Sequence, residues 1–478
     1  MIMRSGMKIL VASSELTPFA RTGGLADAVA ELTTELSRLG HEVSVVIPYY
    51  RSIREGKVAK AKKTRVKFNV QVGNAGIPVD VFETQTPEGV QVFLIGRDEY
   101  FDRSGFYGVD GRDYQDNAAR FIYFTKAVIE LADRMNPSPE ILLANGWQTA
   151  LLPVFVAERR LSYKTVLTPH SLAFQGNFWS YDFALTNLPG DYFSARGVEY
   201  YGSMNCLKGG ILFANAVVLP GERFVWEAQT PEHGSGLENV LREHQHKLYG
   251  IPSSEQVKDW KPPSAESSDR QRSALLEAAG LPADEPRAIF VAFSQSTEGK
   301  GHGILFPALD RLLADNVRLI LLDAVPAKHI TALEIAERKH RKRFVHISPA
   351  DESLQRKALA GADIFLVPGP TEPEAVWLRR AMLQGAIPLA AQCPGLFQFV
   401  RDWEQSRGEG NGFVFWAQTP DGLLDGCRKA IRVMDDKATR DSLRKRCLSA
   451  DFSLQAAARA HVELFERLLG QKRNSQAA

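Results

Sequence analysis

The feature that most constrains this chain is an alternation that runs through it twice. Short apolar, β-leaning runs are each followed by a stretch with helical periodicity. The first set of runs is "KILVASS", "EVSVVIP", "QVFLIG", "ILLAN", "TVLTPH" and "AVVLPG". The second is "AIFVAFS", "VRLILLDA", "RFVHIS", "DIFLVPG", "AIPLAAQ" and "GFVFWAQ". Strands alternating with helices build parallel α/β sheets, so each half reads as a doubly wound domain. Between the sets lies "GIPSSEQVKDWKPPSAESSDRQ", rich in Pro, Ser and charge and poor in core-forming residues, which reads as a linker. The expected organisation is therefore a domain over 1–250, a linker over 251–274, a second domain over 275–452 and a final helix and tail over 453–478. A chain of 478 residues is long for one hydrophobic core, which agrees with two domains.

Composition narrows the function classes. With 44% hydrophobic and 24% charged residues the chain is that of an ordinary soluble globular protein. A net charge of +2 gives no electrostatic case for nucleic acid or an anionic membrane. No apolar run reaches the roughly 18 residues of a membrane span, and the first apolar run reads straight into a strand and not as a leader. Cys206, Cys393, Cys427 and Cys447 are scattered without C-x-x-C spacing, so neither a disulfide framework nor a metal site is expected, and a cytoplasmic home is.

Both halves open with a strand, a glycine-containing loop and a helix. In the first, Leu25, Val29, Leu32, Leu36 and Leu39 form one apolar helix stripe, and Gly40 stands where a C-cap belongs. That helix begins beside Thr22-Gly23-Gly24. The loop reads either as a plain βα turn or as an anion cradle, where free backbone N–H groups and the helix dipole meet a ligand. In the second half, "AIFVAFSQSTEGKGHG" ends a strand in Ser, Thr, glycines and one cation, Lys300. Lys300 alone reads equally as a solvated loop lysine, His170 as a satisfied core histidine and Glu372 as a helix cap.

Longer blocks give these residues a context. "SSELTPFARTGGLADAV", "EYFDRSGFYGVDGRDYQDNAARF", "VLTPHSLAFQGNF", "YYGSMNCLKGGILFANAV", "QTPEHGSGLENVL" and "AGADIFLVPGPTEPEAVWLRRAMLQGAIPLA" occur in this order. In them the chain, over roughly residues 7 to 465, resembles bacterial glycogen synthases and plant starch synthases. The resemblance implies a retaining GT-B glycosyltransferase: two Rossmann-like domains facing across a cleft, with the final helix crossing back to the first. It implies transfer of glucose from ADP-glucose to the non-reducing end of an α-1,4-glucan, without cofactor or metal. A nucleotide sugar and a glucan such as glycogen or maltodextrin would be its partners.

By this resemblance Lys300 corresponds to the lysine that holds the leaving diphosphate, Glu372 to the glutamate that holds the glucose hydroxyls, and His170 to the histidine near the reacting sugar. Arg21, Gly23, Gly24, Gln295 and Gly395 fall on donor-binding positions, with Arg21 replacing the usual lysine. The departures cluster on the chemistry. Gln295 occupies the slot of an arginine, so a charge aimed at the departing diphosphate is missing. Asn145 and Gly146, in "NGWQ", replace the His and Asp of an H-D-W-H segment. Glu374 adds negative charge near the expected phosphates, Trp377 fills the place of a small hydroxyl residue, Ala350 stands in a tyrosine slot, and Cys393-Pro394-Gly395 replaces Thr-Gly-Gly. The expectation is a synthase-like transferase with reduced or altered activity, the alternative a non-catalytic glucan-binding or regulatory protein of the same fold.

Overall fold

The computed structural model describes residues 6–56, 61–109, 112–251, 260, 268–283, 287–293, 301–369, 376–392 and 399–470. The chain divides into two compact units, Met1–Glu255 together with Leu454–Ala478, and Gln256–Ser453.

The first unit contains β1 (Lys8–Ala12), β2 (Glu42–Pro48), β3 (Lys62–Val72), β4 (Ala75–Gln85), β5 (Gln91–Gly96), β6 (Gly108–Val109), β7 (Arg112–Asp113), β8 (Ile141–Asn145), β9 (Lys164–Thr168), β10 (Asn177–Phe178), β11 (Glu199–Tyr200), β12 (Ser203–Asn205), β13 (Ala216–Leu219) and β14 (Leu248–Gly250). Nine of these form one sheet in the order β14-β13-β9-β8-β1-β2-β5-β4-β3. From β14 to β5 every neighbouring pair is parallel. Strands such as β8, buried at all five residues, are covered on both faces, which is why they read as unbroken apolar runs. The β3–β4 hairpin is antiparallel and was not among the expected strands. It alternates buried and exposed residues at the sheet edge, so "KKTRVKFNVQV" never forms a continuous apolar run.

The first helix, Gly24–Arg38, buries Val29 and Leu36 from the expected stripe. At its end the Gly40 N–H donates to the Ser37 carbonyl and the His41 N–H to that of Leu36, which closes the helix as a C-terminal glycine does. The last helix, Leu454–Leu468, packs on the first one and belongs to the same unit.

The second unit holds β15 (Ala288–Phe293), β16 (Val317–Leu322), β17 (Phe344–Ile347), β18 (Ile364–Val367), β19 (Ile387–Ala391) and β20 (Phe413–Phe415). All are parallel, in the order β17-β16-β15-β18-β19-β20, so in chain order the sheet reads 3-2-1-4-5-6. This is the dinucleotide-fold order, with its reversal between β15 and β18. The expected linker does not run unstructured to 274: Ser268–Ala278 is helical and packs on the helix Glu352–Gly361. Arg272 ties it to the sheet through an ion pair with Asp363, which also accepts from the Ile289 N–H at 2.8 Å.

Candidate functional site

A parallel sheet gathers ligand loops where the winding reverses, because the two loops there diverge and leave a crevice at the carboxyl ends of the strands. In the first unit the reversal lies between β1 and β8. Arg21, Gly23 and Gly24 follow β1, Asn145 ends β8, and His170 follows the neighbouring β9. The sheet topology therefore brings these candidates to one edge. In the second unit the reversal lies between β15 and β18, the strands that lead to Lys300 and Glu372.

His170 is the best-defined of them. Its φ is +59°, a left-handed backbone that few non-glycine residues adopt, and its Nε2 lies 2.9 Å from Asn145 Oδ1. Asn145 is buried, and its Nδ2 donates to the Ala12 carbonyl at 3.2 Å. That bond turns Oδ1 towards the ring, so Nε2 carries the imidazole proton and Nδ1 keeps its lone pair. The residue retains exposed surface and is reachable from solvent, yet desolvation lowers its pKa to about 4, with neighbouring His461 acting in the same direction. At neutral pH His170 is thus a neutral imidazole whose Nδ1 accepts a hydrogen bond and cannot donate one. Asn145 was read from sequence only as a replaced position; the structure makes it the residue that orients His170.

The loop after β1 is organised by a residue the sequence reading did not single out. Glu15 is buried, and its Oε1 accepts from Thr22 Oγ1 and from the Tyr107 hydroxyl, both at 2.6 Å. Its Oε2 accepts from the Thr22 N–H at 2.5 Å. Burial raises the Tyr107 pKa well above its ordinary value, so the phenol stays a donor. The available signal was an acid directly behind a strand and ahead of a glycine loop. Residues 21 to 24 are exposed, and the N-cap Gly23 places no side chain on the first turn, leaving its N–H groups open. Arg21 is otherwise engaged: its Nε donates to Asp27 at 2.8 Å and its Nη2 pairs with the same carboxylate at 2.8 Å. Gly146, in the aspartate slot, has φ +71°.

In the second unit Lys300, Gln295, Glu372 and Gly395 lie outside the described residues, as do Glu374 and Cys393. Their flanks are defined. Gly301 has φ +83°, and a Cβ there would come 2.7 Å from the Gly369 nitrogen and from the Pro368 carbonyl carbon. Only glycine fits, and its close approach sets the end of the β15 loop against the start of the β18 loop. Trp377 stacks on Phe293, the last residue of β15, with centroids 4.4 Å apart, and Arg380 lies over its ring at 4.6 Å. Ala350 is buried, its carbonyl accepting from Gln355 Nε2 at 3.0 Å. Among the described residues no group of three or more His, Cys, Asp or Glu could hold a metal ion.

The second unit's order defines a Rossmann-like domain, the first extends that order by a parallel strand and an antiparallel hairpin, and each collects polar loops at its switch point. Residues 8–243 match the profile of the starch synthase catalytic domain. A glycogen synthase from Opitutus terrae is 34% identical over 481 residues, covering 97% of this chain and 100% of the relative. One from Geotalea uraniireducens is 32% identical, covering 98% of this chain and 100% of its own. Among solved structures, the catalytic domain of starch synthase IV from Arabidopsis thaliana, bound to ADP and acarbose, is similar at a TM-score of 0.72 and 25% identity, covering 98% of this chain and all of that one. The chain belongs to the family of bacterial glycogen synthases and plant starch synthases, and is a synthase-like glycosyltransferase of GT-B fold. The family implies a nucleotide-sugar donor and a glucan acceptor, and no described helix is long and apolar enough to cross a membrane.

Proposed function

We propose that this protein transfers glucose from ADP-glucose to the non-reducing 4-hydroxyl of an α-1,4-glucan with retention, at a rate below that of a fully charged donor site. In the reaction the bond from the anomeric carbon to the diphosphate breaks, ADP leaves with the electron pair, and the acceptor oxygen bonds to the same carbon as its proton passes to the departing diphosphate. Cations and N–H groups aimed at the departing diphosphate do most of the work in such a step. The observation that supports this reading is the close approach of Gly301, the residue after Lys300, to Pro368 and Gly369 at the end of β18. In this reading Lys300 and the open first-turn N–H groups beside Gly23 and Gly24 face negative charge, and Glu372 holds sugar hydroxyls. Neutral His170 accepts from a sugar hydroxyl through Nδ1. No cofactor or metal takes part, and the protein works in the cytoplasm.

A second reading, a glucan-binding protein without catalysis, is favoured by specific residues. Gln295 brings no charge, Arg21 is paired with Asp27, and Gly146 offers no carboxylate. Transfer of labelled glucose to glycogen from ADP-glucose, with UDP-glucose in parallel and ADP calorimetry on the same preparation, separates the two. Transfer that survives EDTA and disappears in Lys300→Ala and Glu372→Ala establishes the first reading. Glycogen binding without transfer or ADP binding establishes the second.

A further inference from the structure

Asp323, the first residue after β16, has a φ of +70°, in the left-handed region. Glycine adopts that backbone freely, whereas a residue with a Cβ is strained there, Asp and Asn less than most. Contacts with β17 hold the strain in place. The Asp323 N–H donates to the Ile347 carbonyl at 3.0 Å, and the Asp323 carbonyl accepts from His346 Nε2 at 2.9 Å. The residue is half-buried, so its carboxylate remains within reach of a ligand. Strained backbone that presents a charged side chain at a strand end points to a use for that side chain.

Register fixes where this residue stands. Phe293, Leu322 and Ile347 pair in one row across β15, β16 and β17, and Asp323 lies one step beyond it, at the carboxyl edge of the sheet. The winding reverses between β15 and β18, so a ligand seated there and extending over the first three strands passes the end of β16 before that of β17. In a sheet of this order, an acid at the end of the second strand, about 20 residues after the glycines of the first loop, accepts from the ribose of a bound nucleotide. Asp323 follows Gly301 by a similar interval. Neighbouring strands lie about 5 Å apart, the reach from a 5′-phosphate at the end of β15 to the hydroxyls of its own ribose at the end of β16. The helix starts beyond these two strands are also drawn together. His302, which opens the helix His302–Ala314, has its ring 5.7 Å from that of His329, in the first turn of the helix Ala327–Lys339.

The chemistry of the group narrows what it takes. Desolvation raises the Asp323 pKa, and hydrogen bonds from the Ala350 N–H and the Gln355 amide, with His346 nearby, act against it. Those bonds aim the carboxylate without exhausting its roughly four lone-pair positions. A carboxylate repels phosphate and only accepts hydrogen bonds, so it suits neutral O–H donors, and a vicinal diol presents two side by side. We propose that Asp323 is a specificity residue of the donor site, its carboxylate accepting from the 2′- and 3′-hydroxyls of the nucleotide ribose. This contact rests on the nucleotide half of the proposed function. It holds the nucleotide without positive charge, in a site where Gln295 brings none.

The test is calorimetry of the full chain with ADP, 2′-deoxy-ADP, 3′-deoxy-ADP and inosine diphosphate, on the parent, Asp323→Asn and Asp323→Gly, with thermal unfolding of each. Asn keeps the shape without the charge, and glycine suits the left-handed backbone, so both variants should fold. The parent should bind each deoxynucleotide about ten-fold more weakly than ADP, because a hydrogen bond to a charged acceptor is lost. That preference should shrink in Asp323→Asn and fall to near unity in Asp323→Gly. A parent that binds ADP and both deoxynucleotides alike overturns the ribose contact and leaves the proposed function standing. A preference that survives in both variants overturns it too, by assigning ribose recognition to other residues. A preference for ADP over inosine diphosphate that vanishes in the variants, with the deoxynucleotides bound like ADP, overturns it in favour of a contact to the base. A lower unfolding temperature with all four affinities reduced by one common factor overturns it in favour of a purely structural role. Absence of ADP binding in the parent removes this contact and the donor half of the proposed function together.

Discussion

At the scale of residues, the most consequential feature is a hydrogen bond that decides where one proton sits. Asn145 spends its amide on the Ala12 carbonyl, so its Oδ1 holds His170 as the Nε2–H tautomer. Nitrogen-15 NMR of the imidazole should show a protonated Nε2 and an unprotonated Nδ1, unchanged between pH 8 and about 5 given a pKa near 4. Asn145→Ala should cost about 1–3 kcal/mol by orphaning a buried carbonyl and should let both tautomers appear. A protonated Nδ1 in the parent protein would refute the assignment. Sequence carried this site only halfway. His170 and the glycines were legible as members of a motif, but motif reading scored Asn145 as a loss. Its role depends on β1 and β8 being neighbours, and no local pattern reveals that. Glu15 was hidden for the same reason, since its partner Tyr107 is 92 residues away.

At the scale of elements, buried strands were the legible part. All twelve apolar runs became strands, because a parallel strand covered on both faces must be apolar throughout. The hairpin of β3 and β4 escaped notice because half its residues face water, and the helix at Ser268 because "SDRQRSALLEA" is mostly polar. What sequence shows least is how irregular segments are held. Lys208 looks like a basic residue in "NCLKGG", yet it is buried and donates to the carbonyls of Ala195, Gly197 and Glu199 at 2.8, 2.9 and 2.6 Å. Desolvation lowers its pKa, but three carbonyl partners compensate for the buried charge. Lys208→Met removes the donor and leaves all three acceptors dry, so it should cost about 3 kcal/mol or more. Hydrogen exchange should rise first in residues 195–205. Protection unchanged there, with stability intact, would mean that the loop is held by something else.

At the scale of the whole molecule, three histidines of the first unit have a consequence for acid stability. His41, His170 and His461 all belong to the first unit, and all three pKa values are lowered by desolvation, those of His170 and His461 to about 4. Glu466 opposes the shift at His41, and His461 adds to it at His170. His461 is buried in the last helix; its Nδ1 lies 2.9 Å from the Ala457 carbonyl, and its Nε2 has no hydrogen-bond partner among the described residues. A histidine that folds into a lower pKa binds fewer protons in the native state than in the unfolded one. Its stabilisation is therefore complete above the unfolded value of about 6.5 and drains away as pH falls towards about 4. His461, fully enclosed, should contribute more to this than the partly exposed His170. Denaturant unfolding of the parent and of His461→Leu, compared from pH 7.5 to pH 4.5, isolates the effect, because carboxylate titration is common to both. The parent's advantage over the variant should shrink steadily below pH 6.5, by up to about 1.4 kcal/mol per pH unit for one proton. Parallel curves would show that His461 titrates normally and that acid lability of the first unit has another origin. Converging curves would make the contact of the first and last helices, which joins the two ends of the chain, the acid-sensitive seam of the first unit.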